Sequence, residues 1–151
     1  MNRFDIRNTF ADAGVNHTTV LLLDSEYMLP TQGWVHGEFA SALQTVLAAL
    51  GLEDWVEEAW DCDKFSRFAF AYAGVLWGKT IGRPKTGLAF GTVCYVDKRM
   101  MGGHCINVFL WRDDDGIARV QFVEPQQQLG GRLVEKKMDA DEIKSIWSIV
   151  M

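Results

Sequence analysis

The sequence predicts an α+β domain in which N-terminal helices pack on a C-terminal antiparallel β-sheet. Three observations predict it. Residues 37–50 and 61–78 place apolar side chains three and four apart, the period of a helix buried on one side. From residue 88 onward the chain breaks into runs rich in β-branched and aromatic residues, separated by turn signals. Helices precede strands instead of alternating with them, which favours α+β over a parallel α/β arrangement.

The elements follow in order. "TTVLLLDSEYMLPTQ" starts apolar and turns at Pro30. In "GEFASALQTVLAALG" the stripe is Phe39, Leu43, Val46, Leu47 and Leu50, and Gly51 is placed to cap the C-terminus. "LEDWVEEAW", residues 52–60, adds another helical turn or two. In "DCDKFSRFAFAYAGVLWG" the stripe is Phe65, Phe68, Ala69, Tyr72, Val75 and Leu76, with Asp61 as N-cap and Gly78 as terminator. "TIGRPKTG" reads as a loop. "LAFGTVCYVD", "HCINVFLWR" and "IARVQFVEP" read as strands, the last two joined at "DDDG" as a hairpin. "MDADEIKSIWSIVM" reads as a C-terminal helix capped by Asp139.

The hairpin has a testable register. A loop centred near Asp114 pairs Leu110 with Ala118, Val108 with Val120, Ile106 with Phe122 and His104 with Glu124; a shift of two residues is compatible with the same pattern. The three inner pairs are apolar, so that face is the core face. The other face carries Asn107, Arg119 and Gln121, but also Phe109 and Trp111, which either lie under a cover within the chain or promote self-association such as a homodimer.

Composition narrows the function classes. The 151 residues suit one domain, 1–151, with a sizeable core; 48% are hydrophobic and 23% charged, as in an ordinary soluble globular chain. A net charge of −5 argues against a nucleic-acid partner, and the densest basic stretch, "GRLVEKK", is too thin for a phosphate-binding footprint. The charged start "MNRFDIRNTFADAG" does not read as a signal peptide, and no run approaches the roughly 18 apolar residues of a membrane span. The expectation is a cytoplasmic protein without a membrane partner. The cysteines, Cys62, Cys94 and Cys105, form no CxxC pair, so neither a disulfide framework nor a zinc site is expected. Cys94 and Cys105 read as core thiols, and His17 and His36 as surface residues. The acidic run at 113–115 has the look of a calcium-loop fragment, but more simply makes a polar turn.

Three residues carry a possible chemistry. Cys62 opens a helix, where the dipole and a nearby imidazolium both favour a thiolate. His104 begins one strand and Glu124 ends the next, where the register makes them neighbours. An imidazole beside a thiol serves as base and then acid, and a carboxylate on its other nitrogen fixes the tautomer. Each residue also has a plain reading: a packed helical thiol, a strand-capping histidine, a solvated strand end.

"WDCDKFSRFAFAYA", "GGHCINVFL" and "FVEPQ" together resemble a papain-like cysteine peptidase family that includes the C-terminal protease domain of a mushroom agglutinin and related small phage proteins. The resemblance covers roughly residues 20–128 and extends to Asp24, Tyr27, Leu29 and Pro30. It implies a papain-like fold and a Cys62–His104–Glu124 triad working through an acyl-enzyme on a peptide or amide substrate. Gln126 and Trp55 match positions that support the oxyanion or the substrate. Some relatives use calcium, but Lys64 stands where they carry a second acid. A phage origin, and hence a host cytoplasm, is also implied. The competing expectations are a catalytically inactive binding or virion-associated module, and an acyltransferase of transglutaminase type with the same triad.

Overall fold

The computed structural model describes residues 1–16, 19–52, 61–82, 85–129 and 132–151. Its elements are α1 (Arg3–Asp12), β1 (Val20–Leu21), β2 (Tyr27–Met28), a π-helical stretch Trp34–Phe39 running into α2 (Ala40–Leu50), α3 (Cys62–Thr80), β3 (Gly87–Leu88), β4 (Phe90–Asp97), β5 (Gly102–Arg112), β6 (Ala118–Leu129), β7 (Arg132–Glu135), α4 (Ala140–Lys144) and β8 (Ser148–Val150). The predicted α+β class is therefore observed. The main sheet has the order β1-β8-β4-β5-β6-β7, antiparallel except where β1 pairs with β8. β2 and β3 form a separate parallel pair.

Helices cover both faces of this sheet. Ile6 and Phe10 of α1 pack with Val93, Tyr95, Ile106, Val108, Leu110 and Phe122 on one face. On the other, Leu43 and Leu47 of α2 and Phe65, Ala69 and Trp77 of α3 pack with Phe90, Phe109 and Val123. The α3 contacts recur every four residues, which is why a helix of this pattern lies flat on a sheet. Asn107, fully buried, ties α3 down: its Nδ2 donates to the Ser66 carbonyl at 2.9 Å and to the Gly91 carbonyl at 3.0 Å.

Most predicted elements are present with shifted ends. Gly51 caps α2 with φ 65°, the left-handed region where glycine lacks the Cβ penalty. α3 runs two residues past Gly78 to Thr80, and Asp61 makes no side-chain cap bond. It pairs instead with Lys64 Nζ at 3.0 Å. The N-terminal helix α1, capped by Asn2 on the Asp5 N–H, went unrecognised. Asp139 does cap a helix through a full capping box with Glu142, but that helix ends at Lys144. Ser148–Val150 is a strand paired with β4, so the C-terminal helix is corrected to a helical turn and an inner strand. The segment 53–60, with Trp55 and most of the further helical turn expected there, lies outside the described residues, as does His17.

The hairpin register is the alternative two residues from the centred one: Leu110 faces Val120 and Val108 faces Phe122. Gly116 at φ 75° closes the loop, with Asp113 and Ile117 bonded across it at 3.0 Å. A shift of two preserves which face each side chain takes. Phe109 is fully buried under α2 and α3, so the cover comes from within the chain. The expectation about the cysteines is corrected: Cys94 and Cys105 are register partners on adjacent strands and are joined by a disulfide, with Cα atoms 4.2 Å apart. An odd total left a pair available all the same, and Cys62 is the free thiol. His36 is corrected from surface to buried; it accepts from the Gln121 amide at 3.1 Å, and burial pushes its pKa down.

Candidate functional site

The residues singled out on β5 and β6 do meet. His104 and Glu124 are both buried, and His104 Nε2 lies 2.8 Å from Glu124 Oε2. The observed register sets Glu124 two residues from the position opposite His104, on the same face, and the long side chains close that offset. The other carboxylate oxygen accepts from the Gln126 backbone N–H at 3.2 Å. The Tyr95 ring meets the imidazole edge-on, with centroids 5.8 Å apart. An acceptor-only carboxylate on Nε2 leaves Nδ1 as the free face of the imidazole. Nδ1 is buried and has no hydrogen-bond partner among the described residues, and neither has Nε2 of the Gln126 amide.

Cys62 makes no hydrogen bond to this pair among the described residues. Strand alternation puts His104 on the α1 face, in line with Tyr95, its register partner, and with Ile106. α3, which begins at Cys62, packs on the opposite face against Asn107, Phe109 and Val123. No hydrogen bond joins the thiol to the imidazole among the described residues. Alkylation of Cys62, followed by mass spectrometry, is therefore expected to proceed at the same rate in the parent and in His104→Gln. A marked slowing in the variant would show a thiol–imidazole pair and overturn this expectation.

Beside the His104–Glu124 pair lies a charged network that sequence reasoning missed. Lys136 Nζ donates to Asp97 Oδ2 at 2.9 Å and Glu142 Oε1 at 3.0 Å, and sits 5.3 Å from the Tyr95 ring centroid. The Tyr95 hydroxyl donates to Asp97 at 3.0 Å. Asp97 also accepts from the backbone N–H of Arg99 and Met100. Burial opposes ionisation of Asp97, but Lys136, these N–H groups and Tyr95 together hold its carboxyl well below the usual range. Burial likewise disfavours the Lys136 ammonium, but Asp97 and Glu142 hold its pKa far above that of a free lysine. Burial pushes the Tyr95 phenol up. One signal was present in the sequence: Tyr95 and Asp97, two apart on a strand, share a face. The partners, Lys136 just after β7 and Glu142 on α4, carried none.

These side chains wall a cavity of about 760 Å³, lined by His104, Glu124 and Gln126 on one side and by Tyr95, Asp97, Arg99 and Lys136 on the other. The volume is in the range of roughly 300–1,000 Å³ typical of small-ligand sites. Among the described residues no cluster of three or more His, Cys, Asp or Glu side chains is arranged to hold a metal ion.

No protein-family model matches the chain, and no curated protein matches it by sequence. Its fold is similar to solved structures of a mushroom lectin. One is PSL1a in complex with E64, at TM-score 0.68 and 20% identity, covering 100% of this chain and 51% of that one. Another is Polyporus squamosus lectin bound to the human-type influenza-binding epitope Neu5Aca2-6Galb1-4GlcNAc, at TM-score 0.68 and 20% identity, covering 98% of this chain and 48% of that one. The chain thus spans about half the length of these lectins, and the likeness at this identity is one of fold.

This finding corrects the assignment to a papain-like cysteine peptidase, with its thiol-protease chemistry and peptide or amide substrate. Short motifs placed a thiol, an imidazole and a carboxylate in order along the chain. The tertiary structure shows a hydrogen bond between the imidazole and the carboxylate, and none among the described residues between the imidazole and the thiol.

Proposed function

We propose that the chain is a glycan-binding module whose ligand sits in the cavity beside His104, Glu124 and Gln126. The observation that carries this reading is the pair of buried, unpartnered polar atoms in the cavity lining, Nδ1 of His104 and Nε2 of Gln126. An unmet buried polar group costs about 1–3 kcal/mol, so both favour a partner. A sugar hydroxyl suits the two together, since it can donate to the imidazole nitrogen and accept from the amide. Arg99 and Lys137 at the rim add donors for further ring oxygens or for an acidic sugar. The lectin neighbours support a carbohydrate as the ligand class. The Lys136–Asp97–Glu142 network holds the wall rigid, which limits the entropy lost on binding.

The test is an oligosaccharide array that includes the trisaccharide Neu5Aca2-6Galb1-4GlcNAc, followed by calorimetric titration of the best binder. Binding is expected, and Gln126→Ala and His104→Asn should each weaken it by about tenfold, the loss of one buried hydrogen bond. A protein that retains no oligosaccharide, or variants that bind as well as the parent, would overturn the proposal.

A further inference from the structure

A second cavity lies against α3. It has a volume of about 450 Å³. Its apolar wall includes Phe70, Trp77, Leu88 and Met151, and its floor is the small-residue face of α3. Ala71, Gly74 and Gly78 are spaced three and four apart and so share that face. A Cβ on Gly74 or Gly78 would meet nothing within 4 Å, so the space over them is open.

The polar groups at this cavity are unmet. Trp77 is only 9% exposed, and its indole Nε1 is buried without a partner among the described residues; Thr86 Oγ1 is in the same condition. The Asp24 carboxyl leans against Gly87 so closely that a Cβ there would collide with it. It makes no hydrogen bond or ion pair among the described residues. The nearby Arg3 guanidinium donates instead to the backbone carbonyls of Leu23 and Asp24. An apolar slot therefore ends at an unpaired carboxylate, with one buried donor and one buried hydroxyl within its lining.

We infer that this cavity binds a small ligand with an apolar body and a cationic amine. The apolar body fills the slot over Gly74 and Gly78, against Phe70 and Leu88. The ammonium pairs with Asp24 and donates to Thr86 Oγ1. A carbonyl or hydroxyl oxygen of the ligand accepts from the Trp77 indole. An anionic ligand of the same shape is excluded by the Asp24 charge.

The probe is L-phenylalaninamide, with hydrocinnamide (no ammonium) and hydrocinnamate (a carboxylate) as controls. Binding is followed on the full chain by the indole N–H resonances, with Trp77 assigned through Trp77→Phe. Phenylalaninamide should shift the Trp77 resonance in a saturable way, hydrocinnamide should bind about tenfold more weakly, and hydrocinnamate should not bind. Asp24→Asn should weaken phenylalaninamide by a similar factor. Gly74→Leu should abolish the shift; open space around Gly74 and the better helix propensity of leucine let that variant fold. An unmoved Trp77 resonance, equal binding of hydrocinnamate, or undiminished binding in both variants would overturn the inference.

Discussion

Replacing Lys136 with methionine should destabilise the fold by about 3–5 kcal/mol, the usual cost of removing one member of a buried ion pair. The methionine fills much the same volume, so the loss is electrostatic. Asp97 and Glu142, both buried, would be left facing each other's charge without a cation. Denaturant unfolding of the parent and the variant measures the difference. The triple variant Lys136→Met, Asp97→Asn, Glu142→Gln should recover most of it, because no buried charge is then stranded. A single-variant loss below about 1 kcal/mol would place the cluster in the class of weak surface pairs.

The effect also has a pH signature. The carboxyl of Asp97 is held below its unfolded value, so its contribution is present above about pH 4 and is lost as pH falls through the folded value. The ammonium of Lys136 is held above its unfolded value, so its contribution is present below about pH 10 and is lost as pH rises through the folded value. The gap between the parent and Lys136→Met should therefore be flat across the neutral range and shrink at both extremes.

Phe109→Ala should cost a similar amount, about 3–5 kcal/mol. Phe109 is fully buried, stacks beside Phe90 with centroids 6.4 Å apart, and meets His36 edge-on at 6.0 Å. Truncation would leave a cavity between the sheet and the two long helices, which can close only if α2 or α3 shifts. The buried Asn107 bonds to Ser66 and Gly91 resist that shift. Thermal or denaturant unfolding checks the value. A loss under about 1 kcal/mol would mean that this face of β5 is open, as the bare alternation of the strand suggested.

Phe109 also marks where a sequence stops being informative. The strands of the hairpin, their apolar inner face and the adjacency of His104 and Glu124 were legible because a side-chain period of two is a local property. The polar residues Asn107 and Gln121 made the second face look solvated. It is buried, and its amides are bonded from outside the strand: Asn107 Nδ2 donates to the Ser66 and Gly91 carbonyls, and Gln121 bonds the His36 ring and the Gln32 amide. No pattern within a strand can announce partners that arrive from distant helices.

The sequence by itself determined the α+β class, the two long helices with part of their buried stripes (Leu50 and Val75, expected in them, are exposed, and Trp77 is buried instead), the Gly51 cap, the hairpin up to a shift of two, and the neighbouring imidazole and carboxylate. All depend on interactions between residues a few positions apart or on strands joined by a short turn. Only the tertiary structure decided the rest. It set which sheet face α3 covers. It paired Cys94 with Cys105, and it carried Lys136 and Glu142 to Asp97, residues separated by 39 and 6 positions in their contacts with or through Lys136. Loop-closure entropy depends only weakly on the length of chain between two groups, so sequence separation says little about which distant groups will meet. Packing of whole faces makes that choice, and with it the chemistry each cavity can offer.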